Sequence, residues 1–128
     1  MIRWLEKHNK LALFLAVLTA ILIFYVSSLT FPSGSKAGTN LNALIYHLSV
    51  FFIFGLLLAV SIVKGNYKHK NLMLVAISIA VLYGILDEMH QLFVPGRHFS
   101  FFDIFLDSFG ILLASTAYLI FIEYRRQL

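Results

Sequence analysis

Four apolar runs, each close to the length of a membrane-crossing helix, constrain this chain more than any other feature. A bilayer's hydrocarbon core of about 30 Å needs about 20 helical residues to cross. The runs are Leu11–Leu29, Leu44–Val63, Leu72–Phe93 and Phe101–Ile122. Little of the 128 residues is left: two short ends and three connections, 30–43, 64–71 and 94–100, which hold both prolines and four of the seven glycines. Composition rules out the soluble alternative. The chain is 60% hydrophobic and 12% charged, against about 45–50% and about 25% in ordinary soluble domains. A domain this small buries only about two-thirds of its chain surface, so that excess has no soluble core to hide in. The expected fold is all-α: one domain over residues 1–128, an integral membrane four-helix bundle.

With no cysteine in the sequence, disulfide frameworks, Cys-ligated metal centres and thiol catalysis are excluded. The net charge of +4 does not point to nucleic acid, because the basic residues flank the apolar runs instead of clustering. They flank them with alternating weight. Arg3, Lys7 and Lys10 precede the first run, Lys64, Lys68 and Lys70 lie between the second and third, and Arg125 and Arg126 follow the fourth. The other two connections hold only Lys36 and Arg97. Eight against two, alternating with each crossing, predicts that both termini are cytoplasmic. The first run is too long for a signal-peptide core and has no A-x-A-like site after it, so it reads as an uncleaved anchor in the cell membrane. Small residues recur four apart on every run (Ala12–Ala16–Ala20, Gly55–Ala59, Ala76–Ala80–Gly84, Gly110–Ala114) and predict helix-contact faces.

The acids away from the termini are Asp87, Glu88, Asp103 and Asp107, all inside apolar runs. On the expected topology Asp87 and Glu88 lie about six residues, or roughly 9 Å, below the outer end of the third helix. His47, His90, Gln91, Arg97, His98, Asp103 and Asp107 fall in the same outer layer, leaving the inner half nearly apolar. An ionised group facing mid-bilayer lipid costs about 2.5–3.5 kcal/mol even on the lenient scale. The acids should therefore point inward, with Glu88, Gln91, Asp103 and Asp107 facing one another across the third and fourth helices and His47 beside them. Asp87 and His90 share an adjoining face. Two readings stand: a polar network that ties the helices together, or a functional site. His, Asp and Glu together also suit zinc, manganese or iron, although no H-E-x-x-H signature is present.

Val94-Pro95-Gly96-Arg97 has the residues of a type II turn, and Ser100 suits the N-cap of the last helix. Arg97, His98 and Ser100 at that helix start would make a phosphate or carboxylate cradle. Equally, Arg97 would neutralise Asp103 or Glu88.

The stretch Asp87-Glu88-Met89-His90-Gln91-Leu92-Phe93-Val94-Pro95-Gly96-Arg97, followed by Ser100 and Asp103, resembles the VanZ-like family of bacterial membrane proteins. There a D/E-E-x-x-Q-x-x-x-P-x-R stretch leads into S-x-x-D-x-x-x-N and a glycine. His47 and Gly55 resemble an earlier K-x-x-H region, and together the match runs from His47 to Gly110. Two positions depart: Asp107 stands where the family usually has Asn, and neither Ala43 nor Leu44 supplies the usual lysine. The resemblance implies a role at the outer face of the cell membrane, on lipid-linked or envelope components, with a family link to resistance against the glycopeptide teicoplanin. It supplies no reaction. The expected function is therefore binding or modification of an anionic lipid, a lipid-linked envelope precursor or a glycopeptide. His47, Asp87, Glu88, Gln91, Asp103 and Asp107 are the candidate catalytic set, and Arg97, His98 and Ser100 the candidate ligand contacts. A small proton-coupled transporter and a non-catalytic membrane partner protein are the alternatives. Catalysis, cofactor, metal and homo-oligomerisation are open at this point.

Overall fold

A computed structural model of the chain describes residues 1–30, 41–66 and 70–128, with the backbone alone at Lys70. Lys36 and Lys68, which carry part of the charge alternation, lie outside the described residues. The described residues form five helices and no strand: α1 (Ile2–Lys7), α2 (Asn9–Ser27), α3 (Leu41–Val63), α4 (Lys70–Gln91) and α5 (Phe101–Gln127). The last four are long and apolar enough to cross a membrane. They coincide with the four apolar runs to within three residues except at the C-terminal end of α5.

The helix boundaries that differ have local causes. α4 stops at Gln91 instead of continuing to Phe93, because Pro95 brings no N–H and disfavours helical geometry in the residue before it. The chain leaves through tighter i→i+3 bonds, from Leu92, Phe93 and Val94 N–H to the Met89, His90 and Gln91 carbonyls. Glu88 therefore sits about 4.5 Å from its helix end, half the depth expected. The type II turn forms as expected, with Gly96 at φ 81° and Arg97 N–H bonded to Val94 O at 3.1 Å. α5 runs five residues past Ile122. Hydrophobicity ends there, but the helix does not: Arg125 and Arg126 occupy its last turn, where cations oppose the negative end of the helix dipole.

α3 is the central helix, packing against α2, α4 and α5. Two glycines explain its close approach to α5. A Cβ built on Gly110 would stand 2.6 Å from Leu48 O, and one on Gly55 would stand 3.2 Å from Ile111 Cα. The small-residue faces are the packed ones: Ala12, Ala16, Ala59, Ala76, Ala80 and Ala114 are all 2% exposed or less, and Gly55, Gly84 and Gly110 are buried. Backbones drawn together by small residues are how helices adhere where lipid removes the hydrophobic drive. The large apolar side chains of α2, among them Phe14, Ile21 and Phe24, point outward, as a lipid-facing surface would.

α1 was not legible in the sequence. It breaks from α2 at His8, whose Nδ1 lies 2.9 Å from Trp4 O, and tucks Leu5 into a core with Ala12, Val63, Met73, Tyr118 and Ile122.

Candidate functional site

Antiparallel neighbours bring the C-terminal turns of α2 and α4 and the N-terminal turns of α3 and α5 to the same end of the bundle. Most of the polar side chains singled out from the sequence meet there. His47, on α3, places Nδ1 2.9 Å from Asp107 Oδ1 on α5, and its Nε2 is 3.9 Å from Asp103 Oδ2. Asp103 and Asp107 are four residues apart on α5, so one face of that helix presents both carboxylates to one imidazole. Asp103 is partly exposed at the rim, while Asp107 is 1% exposed.

Glu88, 0% exposed, faces this pair from α4. Gln91, three residues on, donates Nε2–H to Glu88 Oε1 at 3.0 Å, and the Ser100 backbone N–H donates to Glu88 Oε2 at 3.0 Å. Ser100 is also the N-cap of α5, its hydroxyl accepting from Asp103 N–H at 3.1 Å. An acid at the positive end of a helix is the favourable arrangement. The start of α5, read from sequence as a cradle for a ligand anion, thus gives a backbone donor to the chain's own Glu88.

Asp87 belongs to the neighbouring face, as the spacing implied, and turns to α2. Ser27 Oγ lies 2.7 Å from Asp87 Oδ1, and Gln91 Nε2 at 3.5 Å from Asp87 Oδ2 links this contact to Glu88. His90 also reaches α2. The Ser28 hydroxyl donates to Phe24 O, so at 2.9 Å it is the acceptor for His90 Nε2–H. The Phe24 ring packs 4.5 Å from the His90 ring, centroid to centroid. Ser27 and Ser28 could not be singled out from sequence, because serine is unremarkable in an apolar helix and their partners lie 60 or more residues away.

Arg97 reaches α2, a contact that neither expectation named. Its Nε donates to Leu29 O at 3.2 Å and a terminal nitrogen to Val26 O at 2.8 Å, so the guanidinium covers carbonyls at the end of α2, where helical bonding runs out; Val26 O also accepts from Leu29 N–H at 3.2 Å. Arg97 thus acts as a clamp between the α4–α5 turn and α2. His98 is exposed in that turn and does not join the buried group.

Three residues stand closest. His47, Glu88 and Asp107 are each buried, and each offers one ligand-type atom within 4.8 Å of the others. Asp107 Oδ2 makes no hydrogen bond among the described residues. Beside this layer an apolar groove of about 430 Å³ runs between α2 and α4, lined by Ala16, Ala20, Phe24, Phe54, Leu58 and Tyr83 among others. It ends at Phe24, against His90.

The opposite end is less apolar than expected. Tyr118, 0% exposed on α5, donates to Glu6 Oε1 at 3.0 Å and accepts from Gly65 N–H at 2.9 Å. Arg125 pairs with Glu6 Oε2. Glu6 looked like an ordinary terminal acid; the contact that gives it a partner spans 119 residues.

A family model described as VanZ/LLP1 matches residues 6–122. No curated protein and no solved structure matches the chain.

Proposed function

Because the chain belongs to the VanZ/LLP1 family, whose model covers nearly all of it, we propose that this membrane protein binds or modifies an amphiphile with an anionic headgroup, a lipid or lipid-linked envelope precursor, at the outer leaflet of the cell membrane. The observation that carries this reading is the juxtaposition of two unlike surfaces. An apolar groove between α2 and α4 ends at Phe24, and Phe24 abuts His90 and the polar layer. A lipid is built the same way: a chain for the groove, a headgroup for the layer. Arg97 and the exposed His98 lie on the rim at that end, where a phosphate would approach, while Asp87, Glu88, Gln91, Asp103 and Asp107 with His47 form the inner wall. The link to teicoplanin is the physiological form that the resemblance implies.

The transporter alternative has less support. A proton path would have to continue from Asp107 through the apolar middle of the bundle, where Gly55 lies close against Ile111 and Ala59 and Ala114 are fully buried.

The test combines binding and phenotype. Native mass spectrometry from detergent should show retained anionic lipid in preference to phosphatidylcholine, and Ala20→Trp, which fills the groove, should abolish the retention. In a Gram-positive host, expression should raise the teicoplanin concentration needed for inhibition, and Glu88→Gln should remove that rise. Equal retention of zwitterionic and anionic lipid, unaffected by Ala20→Trp, would overturn the reading.

A further inference from the structure

We propose that His47, Glu88 and Asp107 form a binding site for a divalent transition-metal cation, of the class Mn²⁺, Fe²⁺ or Zn²⁺, with Asp103 as its outer support. The inference rests on the cluster alone and does not need the lipid reading.

Distance is the first argument. Two donors about 2.1 Å from one ion are at most about 4.2 Å apart. The three candidate donors lie within 4.8 Å of one another, so a few tenths of an ångström of side-chain adjustment closes the set. The donors come from three helices, α3, α4 and α5, and all three residues are buried. One imidazole with two carboxylates is a ligand set suited to Mn²⁺, Fe²⁺ or Zn²⁺.

Asp107 supplies the second argument. The residue is 1% exposed, yet its Oδ2 has no hydrogen-bond partner among the described residues. A buried polar oxygen without a partner is costly and calls for an explanation. Oδ2 points toward α4, 3.6 Å from where a Cβ on Gly84 would stand and one turn before Glu88. The glycine leaves room on the side where the cation would lie.

The surroundings fit as well. Ligand carboxylates and imidazoles are normally held by further hydrogen bonds. Glu88 is held by Gln91 and by the Ser100 N–H. With His47 Nδ1 as the ligand atom, its Nε2–H is left facing Asp103 at 3.9 Å, a carboxylate placed to fix the ring. Two buried carboxylates and one imidazole would otherwise hold like charges together in a dry interior, which a divalent ion neutralises.

The experiment uses the full chain in detergent, stripped with a chelator and titrated with Mn²⁺, followed by electron paramagnetic resonance and by metal analysis after desalting. One ion should be retained per chain, and the thermal midpoint should rise on loading. Glu88→Gln and Asp107→Asn, each verified as folded by circular dichroism and gel filtration, should lose the retained ion. Asp103→Asn sits at the partly exposed rim, so folding is little threatened; it should keep the stoichiometry and weaken affinity about 10- to 100-fold. A wild-type chain that retains none of Mn²⁺, Fe²⁺ or Zn²⁺ would overturn the proposal. So would Asp103→Asn and a folded Asp107→Asn that bind as the wild type does. Lipid retention measured on the same samples reports separately on the proposed function.

Discussion

Gly110→Ala should open the α3–α5 contact on which the buried polar group depends. The added methyl would stand 2.6 Å from Leu48 O and 3.2 Å from Phe52 N. A carbon and a carbonyl oxygen rest at about 3.3–3.6 Å, so the helices must part by most of an ångström. Both obstacles are backbone atoms and cannot swing aside as a side-chain tip can. Overpacking of this kind costs about 1–3 kcal/mol, and a backbone clash belongs at the upper end. Alanine's better helix propensity returns about 1 kcal/mol, which leaves a net loss of roughly 2 kcal/mol. Gly55→Ala is the internal control: its nearest contact is Ile111 Cα at 3.2 Å, and the small adjustment needed there is close to cancelled by the same propensity gain. Unfolding in detergent micelles, followed by circular dichroism, should rank Gly110→Ala well below Gly55→Ala and the wild type. A Gly110→Ala protein as stable as Gly55→Ala would refute the close-approach argument.

Arg97→Ala should destabilise the bundle by about 1.5–3 kcal/mol, since charge-assisted hydrogen bonds to the end of α2 are lost; Arg97→Lys should recover part of this, and thermal unfolding of both variants checks it. Tyr118→Phe removes one hydroxyl that serves both Glu6 and Gly65, so it should cost about 1–3 kcal/mol while leaving Mn²⁺ retention at the other end unchanged. The cysteine-free sequence makes topology directly testable: His98→Cys should react with an impermeant thiol reagent in intact cells, and Arg126→Cys only after permeabilisation. Labelling of position 126 in intact cells would reverse the orientation read from the charge pattern.

Features that depend on local sequence were legible. The lengths of the apolar runs gave the four spanning helices, the four-residue spacing of Ala and Gly gave their packed faces, and Pro95-Gly96 and Ser100 gave the turn and the cap. The inward placement of Glu88, His47 and Asp107 followed from the cost of exposing charge to lipid. Contacts made between distant residues were harder to see. Arg97 had several chemically reasonable targets, and nothing local favours the carbonyls of α2 over a carboxylate. Ser27 and Ser28 became significant only when Asp87 and His90 arrived beside them. Glu6 precedes the first spanning helix, and only α5's extension past Ile122 carries Arg125 to it. The α1 break at His8 has no proline or glycine to announce it.

The wiring of the polar layer also sets the order in which its members find partners during synthesis. Spanning helices are made from the N-terminus onward, and Asp87 meets Ser27 as soon as α4 joins α2. Glu88 must wait for Ser100, and His47 for Asp107, made 60 residues later. A nascent chain halted before α5 would therefore hold an ionisable acid and an imidazole in the bilayer without their final partners, where such groups cost several kcal/mol at depth. Only the finished polypeptide quiets them. Fragments ending before residue 100 should therefore be cleared quickly by membrane proteases.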